Sequence, residues 1–400
     1  MQAGSVSTVF AIVVMLWLLA RLWLSSRQIR HVAQHRSQVP ARFAATVTLA
    51  AHQRAADYTI AKARVGMLAM AWGAAILLAW TLLGGLELLN VSLRDAIQPR
   101  WGTLAYQLAL LCAFSLAAGV LELPFDIWQT FVLEQRFGFN RVTPALFVAD
   151  LLKGVLVGAM IGLPLAALVL WIMGALGSTW WLWAWVSWVA FQLALLVLYP
   201  TLIAPLFNKF EPLPDEALRQ RVQALLQRCG FAAKGLFVMD GSRRSAHANA
   251  YFTGLGSAKR VVFFDTLLAR LTPSEVEAVL AHELGHFKLR HVLLRMGATF
   301  AVSLAALALL GWLSTQSGFY AGLGVAPNLA APNDALALLL FALALPPFLF
   351  FVSPLAAQLS RHHEFEADAY ASTHADAQAL ASALLKLHED NASTLTPDPL

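Results

Sequence analysis

The stretch "VLAHELGHFKLRH", Val279–His291, runs without a break into "VLLRMGATFAVSLAALALLGWLS", Val292–Ser314. The first part places His282 and His286 four residues apart. On a helix both imidazoles then leave the same face and can share one metal ion, with Glu283 one step round, close enough to take a proton from a metal-activated water. Neutral imidazoles suit zinc, which lowers the pKa of a coordinated water from about 15.7 to about 7. The second part is an apolar run long enough to cross a bilayer core of about 30 Å, which needs roughly 20 residues in a helix. A hydrolytic pattern thus sits at the mouth of a membrane span. By itself the five-residue pattern is weak, because a helix whose polar residues only face solvent spells it equally well.

Composition extends the membrane reading to the whole chain. Of 400 residues, 59% are hydrophobic and 13% charged, and the mean hydropathy of +0.64 lies outside the range of soluble domains. Seven apolar runs have spanning length: Ser5–Ser25, Val65–Leu89, Thr103–Leu123, Val155–Leu176, Trp180–Leu206, Val292–Ser314 and Ala335–Gln358, with kinks expected at Pro164 and Pro346. Tryptophans cluster at a span end in "STWWLWAWVSW", Ser178–Trp188, as indoles do at the membrane–water boundary. The expected fold is therefore mainly α, a polytopic membrane protein of about seven transmembrane helices. A net charge of +5 on such a chain says little about nucleic acid, and none is expected as a partner. Cys112 and Cys229 lie in different environments and imply neither a disulfide nor a cysteine metal site.

Orientation follows from the segment between the first two runs. It carries Arg27, Arg30, Arg36, Arg42, Arg54, Lys62 and Arg64 against one acid, Asp57, so it is expected in the cytoplasm. Threading onward puts Phe207–His291 and everything after Gln358 on the same side. Loops are expected at Val91–Gly102 and Gln316–Asp334. Four divisions result: 1–206, five spans with the basic loop; 207–291, a cytoplasmic zinc-protease segment; 292–358, two more spans; and 359–400, a helix completing the site.

Within 207–291, Leu213–Arg228 reads as a helix charged on one face. "GLFVMD", "AYFTG" and "RVVFFDTLL" read as short strands of a small β-sheet, and Thr272-Pro273-Ser274-Glu275 as a helix start. Lys209 and the Arg243–Arg244 pair read as solvated charges, with a contact to a substrate carboxylate or lipid headgroups as the alternative. A catalytic zinc has three protein ligands and one open position. The third is expected from "SRHHEFEADAYA", Ser360–Ala371, where Glu364 and Asp368 share a helix face and Glu366 points elsewhere. Glu364 would bind the ion and Asp368 would orient a ligand histidine; His362 or His363 are alternatives to Glu364. His291 reads as a helix-end histidine.

These residues resemble the type I CAAX prenyl endopeptidases, multispan zinc metalloproteases. The likeness runs in order through "RQIRHVAQHRSQVP", "HQRAADYTIAKAR", "LEQRFGFNR", "IAPLFNKFEPLP", "RSAHANAYFTG", "VVFFDTLLARL", "AVLAHELGHFKLRH" and "SRHHEFEADAYA". It implies His282, His286 and Glu364 as ligands of one Zn2+, Glu283 as general base and Asp368 behind the ligands. It also implies an edge strand at "HANAYFTG" whose His247, Asn249 and Tyr251 face substrate, and seven helices around a chamber with the zinc site at its cytoplasmic end. The implied partners are membrane lipids and peptide or protein substrates, with or without a prenyl group, cleaved near a CAAX-type carboxy terminus or in membrane protein quality control. A bacterial inner membrane is the expected location, with the endoplasmic reticulum as alternative. The resemblance further calls for a His-Pro-Pro element beyond "ALLKLHEDN"; this sequence lacks it, and a truncated chain is the expectation. The rival class is a membrane transporter or lipid-binding scaffold with a structural or vestigial zinc site, which purified protein without stoichiometric zinc would favour.

Overall fold

The computed structural model describes residues 2–231, 235–253, 260–328 and 332–399. Its first half is helical: α1 (Ala3–His35), α2 (Leu49–Trp80), α3 (Gly85–Trp128), α4 (Pro144–Ala175) and α5 (Trp180–Leu198), with a short α6 (Ala204–Phe207). Then come β1 (Phe210–Pro212), α7 (Glu216–Arg228), β2 (Gly235–Met239), β3 (Ala250–Thr253), β4 (Arg260–Phe264), α8 (Asp265–Leu268) and α9 (Pro273–Lys288). The chain re-enters the apolar layer with α10 (His291–Leu313), turns through α11 (Ser317–Gly322), returns as α12 (Asp334–Phe350) and ends in α13 (Ser353–His374) and α14 (Ala377–Asp390).

Six helices are long and apolar enough to cross a membrane, or seven if α12 and α13, bent by 64° at their junction, form one broken span. At most 11% of the apolar window of any of the six is buried by the rest of the chain. A solid bundle would bury a stripe on every helix. So little burial fits a ring of helices around an open interior, with large apolar side chains such as Leu83, Leu88 and Met160 exposed for lipid to cover.

Several expected boundaries shift. The run Val65–Leu89 is not one helix: the chain breaks after Trp80, and Gly84, at φ 79°, caps a new helix that starts at Gly85. Gly85 is tight as well, since a Cβ there would lie 2.6 Å from the Ala79 carbonyl oxygen. The expected Val91–Gly102 loop is helical up to Gly102, whose φ of 82° and ψ of 176° kink α3. The first part of the expected Gln316–Asp334 loop is the buried helix α11, while residues 329–331 lie outside the described residues. The last run, Ala335–Gln358, breaks after Phe350, just past the Pro346–Pro347 pair, so Ser353–Gln358 belong to the helix that carries the candidate ligands.

Periodicity failed in the two apolar runs, Val65–Leu89 and Ala335–Gln358, because such a segment is apolar whatever its geometry. Composition marks membrane depth, while the break is decided by glycines and prolines whose effect depends on neighbours. Polar groups inside the layer are paired across helices: Gln107 accepts from the Ala335 backbone N–H at 2.8 Å, and the Trp185 indole donates to the Phe300 carbonyl at 2.9 Å.

The four strands form one sheet in the order β1-β2-β4-β3, with β2 and β4 parallel and the outer pairs antiparallel. Val261, Val262 and Phe263 of β4 are buried, as suits a strand covered on both faces. β3 is one of the two edge strands and packs beside α9. Leu280, Ala281 and Leu284 of α9 join Val222 and Leu225 of α7, Ala371 of α13 and Leu380 and Ala383 of α14 in one core. That core holds α9 and α13 rigidly against each other.

Candidate active site

α9 starts with a capping box. Thr272 caps the first turn, its backbone N–H donates to Glu275 Oε2 at 2.8 Å, and Pro273 occupies the first helical position. Glu275 also accepts from Ser382 Oγ at 2.6 Å and Lys386 Nζ at 2.8 Å, which ties α9 to α14. Burial opposes ionisation there, but these bonds and those to Thr272 hold the Glu275 carboxyl down at about 2. Glu277, one turn's face away, accepts from Arg221 and Arg228 of α7.

Helical spacing then sets His282 and His286 side by side, ring centroids 5.0 Å apart. α13 crosses α9 at Gly285 and brings Glu364 to both: its Oε2 lies 3.4 Å from His282 Nε2 and 3.6 Å from His286 Nε2. One ligand atom from each of the three residues falls within 4.8 Å of the others. Asp368, one turn on, takes the other side of the first ring, with Oδ1 2.8 Å from His282 Nδ1. With Asp368 accepting the Nδ1 proton, His282 presents its Nε2 lone pair toward Glu364. Two imidazole nitrogens and one carboxylate with an open side make a donor set that fits a catalytic zinc.

Burial pushes the Glu283 carboxyl above its ordinary range; His282 opposes this and Glu364 adds to it. Burial lowers His286, helped by His282, His291 and Arg295 against the pull of Glu364, so the ring stays neutral and able to act as a ligand.

The three residues expected around the edge strand are placed differently from one another. Asn249 is exposed at the start of β3, and its Oδ1 accepts from the Ala250 N–H at 2.8 Å. The Tyr251 ring meets Phe264 edge-on at 6.2 Å, and burial raises its phenol. His247 stacks on Phe139 at 4.5 Å, contacts Asn391 Oδ1 through Nδ1 at 2.9 Å, and lines a polar cavity of about 600 Å³ with Tyr58, Glu134 and Asp150.

That cavity explains the "FGFN" stretch. Gly138 turns at φ 77°, Asn140 forms a β-bridge with Ser245, and the Ala246 N–H donates to the Phe139 carbonyl at 3.2 Å, so the element holds the segment that leads into β3. Arg244, read from the sequence as solvated, is instead paired with Asp150 of α4 at 2.9 Å and donates to Asn208. It locks the sheet to the membrane helices.

The sequence reading took His291 as a helix-end histidine, His363 as an alternative to Glu364 and Glu366 as pointing elsewhere, and did not bring the three together. His291 is 2% exposed, with its Nδ1 3.0 Å from His286 Nδ1 and its Nε2 3.0 Å from Glu366 Oε2. His363 stacks on it at 4.1 Å, whereas His362 is exposed. The His286–His291 spacing could not join them, because on a continuous helix five residues point the rings to different faces.

Comparison with known proteins agrees with this architecture. Residues 28–209 match the model for the CAAX prenyl protease N-terminal, five membrane helices, and residues 212–399 match that of peptidase family M48. A CAAX prenyl protease 1 homolog from Arabidopsis thaliana is 37% identical over 318 residues, covering 76% of this chain and 72% of the relative. CAAX prenyl protease 1 of Saccharomyces cerevisiae is 33% identical over 326 residues, 78% of this chain and 72% of its own length. The crystal structure of S. mikatae Ste24p superposes with a TM-score of 0.90 at 28% identity, over 98% of this chain and 94% of that one. This multi-pass membrane chain belongs to peptidase family M48, among its CAAX prenyl protease members, and is a metallopeptidase.

Proposed function

We propose that the chain is a zinc endopeptidase that cuts near the carboxy terminus of CAAX-type substrates. In this proposal His282, His286 and Glu364 hold the ion, Glu283 is the general base and Asp368 orients His282. One observation carries it: both Nε2 atoms face a single Glu364 oxygen, at 3.4 and 3.6 Å, while the Nδ1 atoms are engaged by Asp368 and His291. When bound, zinc supplies Lewis acidity for the scissile carbonyl and for the attacking water. Glu283 takes the water proton on its carboxylate and passes it to the leaving amine nitrogen. Its burial favours the abstraction step, because the protonated acid that this step forms is the state a buried site prefers. The edge of β3 pairs with an extended substrate through main-chain bonds and runs the scissile bond past α9. Asn249, exposed at the start of that edge, holds a substrate carbonyl, and Tyr251 and His247 flank the path.

The four sequence divisions enter as proposals too, with 207–291 and 359–400 joined into one catalytic unit on the cytoplasmic face. For the membrane itself, span composition argues for a bacterial inner membrane and the eukaryotic sources of the relatives for the endoplasmic reticulum; fractionation of the host separates them. The CAAX prenyl protease relatives favour a peptidase over a transporter or scaffold.

Metal analysis and peptide cleavage on the purified full chain test the mechanism. Glu283→Ala keeps zinc and loses at least about 100-fold in cleavage, the usual share of general acid–base catalysis, and His286→Ala loses both. Retained cleavage in Glu283→Ala sinks the mechanism. Farnesylated and unprenylated versions of one peptide decide the substrate class, and equal rates overturn the CAAX assignment.

A further inference from the structure

Arg290 is one of two non-glycine residues with positive φ among the described residues, at φ 60° and ψ 23°. A side chain in this left-handed region costs on the order of 1 kcal/mol and persists where the surroundings demand it. Here it is the N-cap of α10, which starts at the next residue, His291, so only Leu289 and Arg290 separate α10 from the end of α9 at Lys288. The sharp turn swings His291 back over the helix it has just left. Its ring is 2% exposed and lies between His286 Nδ1 and Glu366 Oε2, 3.0 Å from each.

Two imidazole nitrogens 3.0 Å apart share one proton, so one ring donates and the other accepts. If His286 binds metal through Nε2, its proton is on Nδ1 and is donated to His291 Nδ1. The His291 proton is then on Nε2, where the Glu366 carboxylate accepts it. For neutral rings this is the single assignment that leaves Nε2 of His286 free for the ion and satisfies both contacts. Building on the zinc reading above, we infer that His291 and Glu366 are positioning residues, a relay that holds His286 in its metal-binding tautomer as Asp368 does for His282.

A second ion offers a competing account, because His291, His363 and Glu366 also bring three ligand atoms within 4.8 Å of one another. The rings argue against it. An ion binds imidazole in the ring plane, and His291 and His363 are stacked at 4.1 Å with planes only 10° apart, so the two planes share no point close to both nitrogens. His363 instead covers one face of His291 and keeps water from its bonds.

The test is zinc affinity of the full chain in detergent, measured by competition with a chelator, with melting of the metal-free protein as a folding control. His291→Ala and Glu366→Ala lower zinc affinity about 10- to 100-fold, as loss of outer partners does at other sites, without a matching fall in metal-free melting temperature. Glu366→Gln, whose amide oxygen still accepts, stays near wild type. The double variant H291A/E366A is no weaker than H291A, because Glu366 acts only through His291. Because Glu366 is partly exposed, its variants carry the test if H291A does not fold. Affinity unchanged in Glu366→Ala, additive losses in the double variant, or a second zinc per chain that H291A removes would each overturn the relay. A wild-type chain without zinc overturns the metal reading itself, and the relay with it.

Discussion

Gly285 of α9 lies against Ala367 of α13 so closely that a Cβ on the glycine would meet Ala367 Cα at 3.1 Å, its carbonyl oxygen at 3.3 Å and Tyr370 Cβ at 3.2 Å. The glycine of "HELGH" is thus a spacing device. It lets α13 approach until Glu364 reaches both histidines. A methyl at this position meets backbone, which cannot swing aside as a flexible side chain would. Gly285→Ala is expected to destabilise by about 1–3 kcal/mol through overpacking, and to weaken zinc binding because the helices part. Melting temperature and chelator competition check it; an alanine variant with wild-type zinc affinity would show that the close approach is irrelevant to the site.

Asp368 touches His282 alone of the candidate ligands, at 2.8 Å. Asp368→Ala is expected to lower zinc affinity by about 10- to 100-fold while leaving the helices in place. Asp368→Asn keeps an acceptor oxygen and falls between. Titration of apo-protein with zinc distinguishes these from Glu364→Ala, which removes a ligand outright and falls further. Equal losses in Asp368→Ala and Glu364→Ala would contradict their separate roles.

The Glu275 anchor makes stability pH-dependent. Its folded pKa of about 2 lies below the ordinary 4.5, so the bonded carboxylate stabilises the fold fully above pH 4.5, and the contribution drains away as pH falls from there toward 2. The shift amounts to at most about 3 kcal/mol. Glu275→Gln keeps an acceptor for the capping box but gives up the charged bond to Lys386. Its melting temperature should lie below wild type by a constant gap above pH 5 that closes toward pH 3. Curves that run parallel across that range would refute the linkage.

Arg290 carries a backbone cost that glycine does not. Arg290→Gly is expected to keep zinc affinity and to change stability by no more than about 1 kcal/mol, with relief of the left-handed strain set against a more flexible unfolded chain. Arg290→Val, whose branched side chain is poorly tolerated at positive φ, should lose both stability and zinc. Thermal melts of the three proteins side by side decide it.

The His282–His286 pair of α9, the capping box at Thr272 and the Glu364–Asp368 face were legible because each is a pattern within one helix, written at spacings of three or four residues. Membrane depth was legible from hydropathy for the same local reason. The end of α2 at Trp80 and the break after Phe350 were not, since an apolar run looks alike whether it is straight, kinked or broken. The stacking of His247 on Phe139 was not legible either, because it depends on a segment more than 100 residues earlier in the chain.

Sequence alone determined that the chain is mainly helical and lies in a membrane, and which residue types could bind a metal, because side-chain chemistry and helical period are local. Only the tertiary structure decided that α13 meets α9 at Gly285, that Arg290 folds His291 back onto His286, and that Glu366 completes the contact. Those depend on how closely two surfaces can approach, and approach is settled by packing between segments that the sequence keeps far apart.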